Sequence, residues 1–162
     1  MFILEKYPAH CNTEYHKQGY WGEMYIKDFL ERAGWLVYMN PDQYGGWDMI
    51  KVDKTTGKSS TIQVKTLVRY VTRGYFGIKD GVMGQTIKNL KSCDELILVV
   101  RNPNSIDDRE YKGKVLKVKN HKNFTLNGKE YIIPSEAENF VHLSTLSYDE
   151  LQQVNSHKTY RN

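Results

Sequence analysis

Glu23, Asp48, Gln63 and Lys65 are the residues of this 162-residue sequence whose types and spacing can do chemistry together. They occur in the pieces GYWGEMYIKDFLERAG, GGWDMIKV and TIQVKT, in the order acid, acid, amide-x-lysine. Carboxylate and amide oxygens are hard donors that suit Mg2+. Phosphodiester hydrolysis needs a nucleophilic water and a counter-charge for the scissile phosphate, and a divalent cation beside a lysine supplies both. In this reading Asp48 binds the cation directly, the Gln63 amide oxygen adds a neutral ligand, and the Val64 carbonyl adds a third. Glu23 reaches the cation through a bound water. Lys65 shares a strand face with Gln63, which lets it orient the attacking water and offset developing charge.

Each residue also has a plainer reading. Glu23 falls on the apolar stripe of a helix, with Ile26 and Leu30, but near the N-terminal end, where the helix dipole tolerates an acid. Asp48 opens a strand and is placed to cap the Gly45-Gly46 loop. Gln63 and Lys65 alternate with Ile62 and Val64, as polar residues do on a wet sheet face. The chemical reading rests on their conjunction.

The elements that must position them follow from periodicity and punctuation. Residues 20–33 read as an amphipathic helix stopped by Gly34. Trp35–Met39 and Trp47–Val52 read as strands, with a Gly-Gly loop between them. A turn at Thr55-Thr56-Gly57-Lys58 leads into a third strand, 60–68. Residues 69–84, with four glycines, predict a loop or irregular ribbon, and Gln85–Lys91 a short helix. Leu96–Val100 is a continuous apolar run, expected of a strand buried on both faces. Val115–Val118 and Tyr131–Ile133 read as further strands with a turn at Asn127-Gly128, and Ser147–Glu150 as the capping box of a last helix. The expectation is an α/β fold: a single domain over 1–162 with a central mixed β-sheet flanked by helices, its core at 16–101 and an extension at 102–162.

Composition narrows the classes. Hydrophobic residues make up 40% and charged ones 26%, ordinary for a globular chain. No apolar run is long enough for a membrane span, and the MFILEKYPAH start does not predict a signal peptide, so a cytoplasmic protein with no membrane partner is expected. Cys11 and Cys93 show no metal-ligand spacing and read as reduced thiols. The five scattered histidines offer neither a zinc pattern nor a Ser-His-Asp order, though His16 is near enough to the helix to reach the site. The net charge of +4 is unevenly spread: residues 51–101 carry ten basic residues against four acidic, whereas residues 1–50 carry four against seven. A basic block beginning at the candidate site is what a polyanionic partner requires. Within it Arg69, Arg73, Lys79, Lys88 and Lys91 are the expected phosphate contacts, with Lys17 and Tyr20 ahead of Glu23 and Tyr44 in the Gly-Gly loop. Tyr70, Tyr75 and Phe76 read as anchors of the glycine-rich segment.

The set Glu23, Asp48, Gln63 and Lys65 resembles the PD-(D/E)XK nuclease superfamily over residues 16–68 and, more loosely, the strand at 96–100. GYWGEMYIKDFLERAGW is similar to the first helix of archaeal-type Holliday junction resolvases. IQVKT is similar to the motif strand of intron-associated homing endonucleases, in which glutamine often replaces the acid. The chain departs from the pattern at Trp47, where proline is usual, and at Gln63, which removes one negative charge. The resemblance implies a restriction-endonuclease-like core, α-β-β-β-α-β, and a DNA endonuclease dependent on Mg2+, with Mn2+ able to substitute. Three functions stay open: site-specific double-strand cleavage of the homing or restriction type, to which the residues after 101 incline the reading; junction resolution; and a catalytically idle DNA-binding module of the same fold. Two cuts by a chain with one site imply a homodimer or homotetramer.

Overall fold

The computed structural model describes residues 2, 4, 6–42, 46–67, 74–81, 84–101, 113–135 and 137–154. Helix α1 (Glu14–Arg32) opens at Thr13, whose hydroxyl accepts the His16 amide at 3.1 Å. That cap satisfies one of the amides a first turn leaves without a partner. The helix begins earlier than the expected Tyr20 because Glu14–Gly19 is polar and shows no apolar period; its start is written only in the cap. Trp21, Gly22, Ile26 and Leu30 form the buried stripe. Lys27 with Glu31, and Asp28 with Arg32, pair one turn apart on the outside. Gly34 ends the helix with a φ of 96°, a conformation that a residue carrying a Cβ resists.

Strands β1 (Leu36–Met39), β2 (Met49–Val52) and β3 (Ser59–Leu67) form an antiparallel meander. The chain then runs through β4 (Tyr75–Lys79) and helix α2 (Gln85–Ser92) and returns as β5 (Glu95–Arg101), parallel to β3. Strands β6 (Gly113–Val118) and β9 (Phe140–His142) extend the same sheet, whose order is β1-β2-β3-β5-β6-β9. Between them, β7 (Leu126–Asn127) and β8 (Glu130–Pro134) join β4 in a second sheet of order β4-β8-β7. Helix α3 (Tyr148–Gln153) opens on the expected capping box, with the Ser147 hydroxyl accepting the Glu150 amide at 3.2 Å.

The central sheet divides two apolar layers. On one face Met49, Ile62, Val64, Ile97, Val99 and Val115 pack with α1 and α3. On the other, Leu96, Leu98, Val100, Leu116 and Val118 pack with α2 and the second sheet. β5 is thus buried on both faces, as its continuous apolar run predicts. The class is α/β with a mixed sheet, but one face is covered by strands as well as by a helix.

Three local expectations are corrected. Tyr75–Lys79 is a strand, not an irregular ribbon; its pattern is hidden because its partner is the distant β8. The strands at 115–118 and 131–133 lie in different sheets, and the turn at Gly128, φ 65°, joins β7 to β8 instead. The strand expected from Trp47 starts at Met49. Among the described residues, no helix is long and apolar enough to cross a membrane.

Candidate functional site

The site lies where one strand stops short of its neighbour. β2 pairs with β3 only as far as Met49 opposite Ile62, whereas β3 continues beside β5 to Leu67. At that point the Asp48 amide donates to the Ile62 carbonyl at 2.8 Å, although Met49 is already the residue facing Ile62. Two residues opposite one is the count of a β-bulge, which re-aims a side chain. The re-aimed Asp48 carboxylate accepts the Val64 amide at 2.7 Å, taking the place of a strand carbonyl. The Val64 carbonyl lies on the same edge of the extended strand and faces the same gap.

Groups from both faces of the sheet meet at this gap. Ile62, Val64 and Thr66 point towards α1; Gln63 and Lys65 alternate to the other side. α1 crosses β3 so closely that a methyl group at Gly22 would overlap the Thr66 hydroxyl, which sets the next residue, Glu23, at the gap. The Glu23 carboxyl is hydrogen-bonded to Asp48. Burial, then the Asp48 charge and this hydrogen bond, push Glu23 up to about 8, while the Lys65 charge acts against them. Burial also raises Asp48, opposed by the Val64 amide and by Lys65. Two carboxyls pressed together in a dry place share a proton because both cannot be ionised cheaply. Gln63 is only 7% exposed, and its amide oxygen has no hydrogen-bond partner among the described residues. An acceptor buried alone costs about 1–3 kcal/mol.

These groups fit a hard cation. The donor set is two carboxylates, an orphaned amide oxygen and a backbone carbonyl, all oxygens, as Mg2+ or Mn2+ prefers. It holds too few acids to form a cluster of three or more His, Cys, Asp and Glu ligands, and none occurs among the described residues. Glu23, Asp48, Gln63, Val64 and Lys65 line one cleft of about 750 Å3.

The expected contacts are dispersed. Tyr20 and His16 are on the cleft wall. Lys17 is turned aside, 3.9 Å from Glu14 and 5.9 Å from the centre of the Tyr7 ring. Lys88 and Lys91 are exposed on α2, but the residues α2 gives the cleft are Thr86 and Asn89. Lys79 is exposed on β4. Arg69, Arg73, Tyr44 and Tyr70 lie outside the described residues. Tyr75 and Phe76 belong to β4, where Phe76 packs edge-on to Phe140 in the core. Cys11 and Cys93 are free and buried.

Sequence reasoning missed Asn40, the residue that follows β1. The Asn40 amide donates to the Asp48 carbonyl at 2.9 Å, and its side-chain Nδ2 donates to the Trp47 carbonyl at 2.9 Å. Its side-chain oxygen also accepts the Asp42 amide. Asn40 therefore clamps the residue that carries the Asp48 carboxylate. The Asn-Pro pair was the available signal, since asparagine at a turn bonds nearby backbone. The chain matches no protein-family model and no curated protein.

Proposed function

We propose that this chain is a divalent-cation-dependent nuclease that hydrolyses phosphodiester bonds of DNA. One observation carries the reading: the Glu23–Asp48 carboxyl pair, under the Lys65 charge, lines the same cleft as Gln63, whose amide oxygen is buried with no hydrogen-bond partner among the described residues. Asp48, Gln63, Val64 and Glu23 would hold Mg2+ or Mn2+, and the cation would supply a polarised phosphate and an activated water. Asp48 is held ready by the Val64 amide and by the Asn40 clamp behind it. Lys65 offsets negative charge on the phosphate. Tyr20 and His16 on the wall, with Thr86 and Asn89 opposite, offer donors to the flanking backbone.

The test is incubation with supercoiled plasmid, linear duplex and a four-way junction, with Mg2+ and with EDTA. Cleavage with Mg2+ alone, abolished in Asp48→Ala and Lys65→Ala proteins that still fold, is the expected outcome. Discrete fragments identify a site-specific enzyme, and junction-only cutting a resolvase. DNA binding without cutting under any condition would leave the idle module, and cutting by Asp48→Ala would remove the catalytic assignment.

A further inference from the structure

A second recess, of about 270 Å3, opens at the end of α2 and is lined by Lys117, Lys119, Asn120, His121, Lys122 and Asn123, with Asp94 and Val118. The local sequence KVKNHKN folds there into a 3₁₀ turn (His121–Asn123), entered through Asn120 at a φ of 54°. The turn is pinned from within. His121 is 5% exposed, and its Nε2 lies 2.8 Å from the Cys93 carbonyl, which makes that nitrogen the donor. The Asn123 amide closes on the Asn120 carbonyl at 2.8 Å, and the Lys119 amide on the Asn139 carbonyl at 2.9 Å.

The charge around this frame is positive. Lys117, 5% exposed, lines the recess, and behind it Lys117 and Lys51 share the Glu95 Oε1, at 2.8 and 3.1 Å. Lys119 and Lys122 add two more positive charges at the surface. Asp94, also in the lining, subtracts one charge; its carboxylate accepts the Thr61 amide at 2.9 Å. His121 is held below its ordinary range by burial first and then by the Lys122 and Lys117 charges, against the opposing bond to Cys93. A concave frame of ammoniums and amides suits the oxygens of a phosphate group.

The last turn of α2 joins the recess to the cleft: Asn89 lines the cleft, its carbonyl accepts the Cys93 amide at 3.2 Å, and the Cys93 carbonyl accepts His121 Nε2 in the recess lining. The Cys93 sulfur lies 3.6 Å from the same His121 nitrogen. We infer that this recess takes a backbone phosphate of a nucleic acid that also lies across the cleft, so that binding extends beyond the phosphate at Lys65. The inference rests on the nuclease reading only for the identity of the ligand.

A labelled DNA duplex is titrated in EDTA at several salt concentrations against the full chain and a Lys119→Ala/Lys122→Ala variant, with Lys122→Glu as a second variant. Inorganic phosphate and polyglutamate serve as competitors. The expected result is weaker binding by both variants at an unchanged thermal melt, with a salt slope shallower by about 1–2 for the double variant. Unchanged affinity and slope would overturn the inference. So would inorganic phosphate that binds the wild type alone without displacing duplex, which marks a free-phosphate site, or polyglutamate that competes as well as duplex. A wild type that never cuts with Mg2+, but whose variants still bind duplex more weakly, would sink the nuclease reading and leave this inference standing.

Discussion

Gln63 gives the site an oxygen without a charge, and that choice has a measurable consequence. Replacing it by glutamate puts a third carboxylate beside Glu23 and Asp48. Without a cation the three repel one another in a place water hardly reaches. Gln63→Glu is therefore expected to melt below the wild type in EDTA and to gain more on Mg2+ addition, as differential scanning calorimetry would show. Equal Mg2+ responses would count against Gln63 as a ligand. Glu23 makes a separate prediction. Its folded value of about 8 lies above the ordinary 4.5, so the cation-free fold holds a proton that the unfolded chain releases. The contribution of this group to stability is present below about 4.5 and is lost as pH rises to about 8. Over that window the wild type should weaken relative to Glu23→Gln, which stays neutral, in urea unfolding without metal. Parallel curves would mean the carboxyls do not share a proton. At this scale the four residue types were legible because each is unusual at its position. Asn40 was not, because its partners Trp47 and Asp48 reach it only when the intervening loop folds back.

The placement of α1 on β3 decides where Glu23 falls, and Gly22 decides that placement. A side chain at Gly22 meets the Thr66 hydroxyl, itself buried without a hydrogen-bond partner among the described residues. Gly22→Ala should force the helix outward at a cost of about 1–3 kcal/mol, with a larger proportional loss of cleavage than of stability. Thr66→Ala in the same protein should restore both, since it opens the space and abandons no hydrogen bond. If the double variant stays as impaired as Gly22→Ala, this contact does not set the helix position. The apolar stripe of α1 and the double-sided burial of β5 were legible because period and run length are local properties of a segment. β4 was not: Gly74 and Gly77 interrupt its pattern, and the alternation of Phe76 and Ile78 has meaning only beside Ile133 and Tyr131. The gap beside Val64 was hidden for a similar reason, since a strand's stopping point depends on its neighbour.

Across the whole molecule, burial and charge are in tension along one line of the sheet. Lys51, Glu95 and Lys117 cross β2, β5 and β6 on the α1 face, with the Lys51 ammonium 4.4 Å from the centre of the Trp35 ring. The two ammoniums hold Glu95 below its ordinary range despite its burial. Removing the carboxylate takes from two buried ammoniums the charge they share, so Glu95→Gln should cost about 3–5 kcal/mol. Replacing the trio together by Met, Leu and Met should recover most of that loss or exceed it. Denaturant unfolding of the two proteins checks this, and a Glu95→Gln loss below about 1 kcal/mol would show that water already serves the lysines. From the sequence alone came the α/β class, the helix that carries Glu23, the strand that carries Gln63 and Lys65, and the residue types. Those are matters of spacing within a segment, and the periods of helix and strand are short. The tertiary structure alone decided that β2 ends before β3, that Asp48 bends into the opening, that Glu23 arrives from the other face, and that the lysines after β5 frame a second recess. Such features depend on contacts between residues far apart in the chain, whose geometry no local pattern contains.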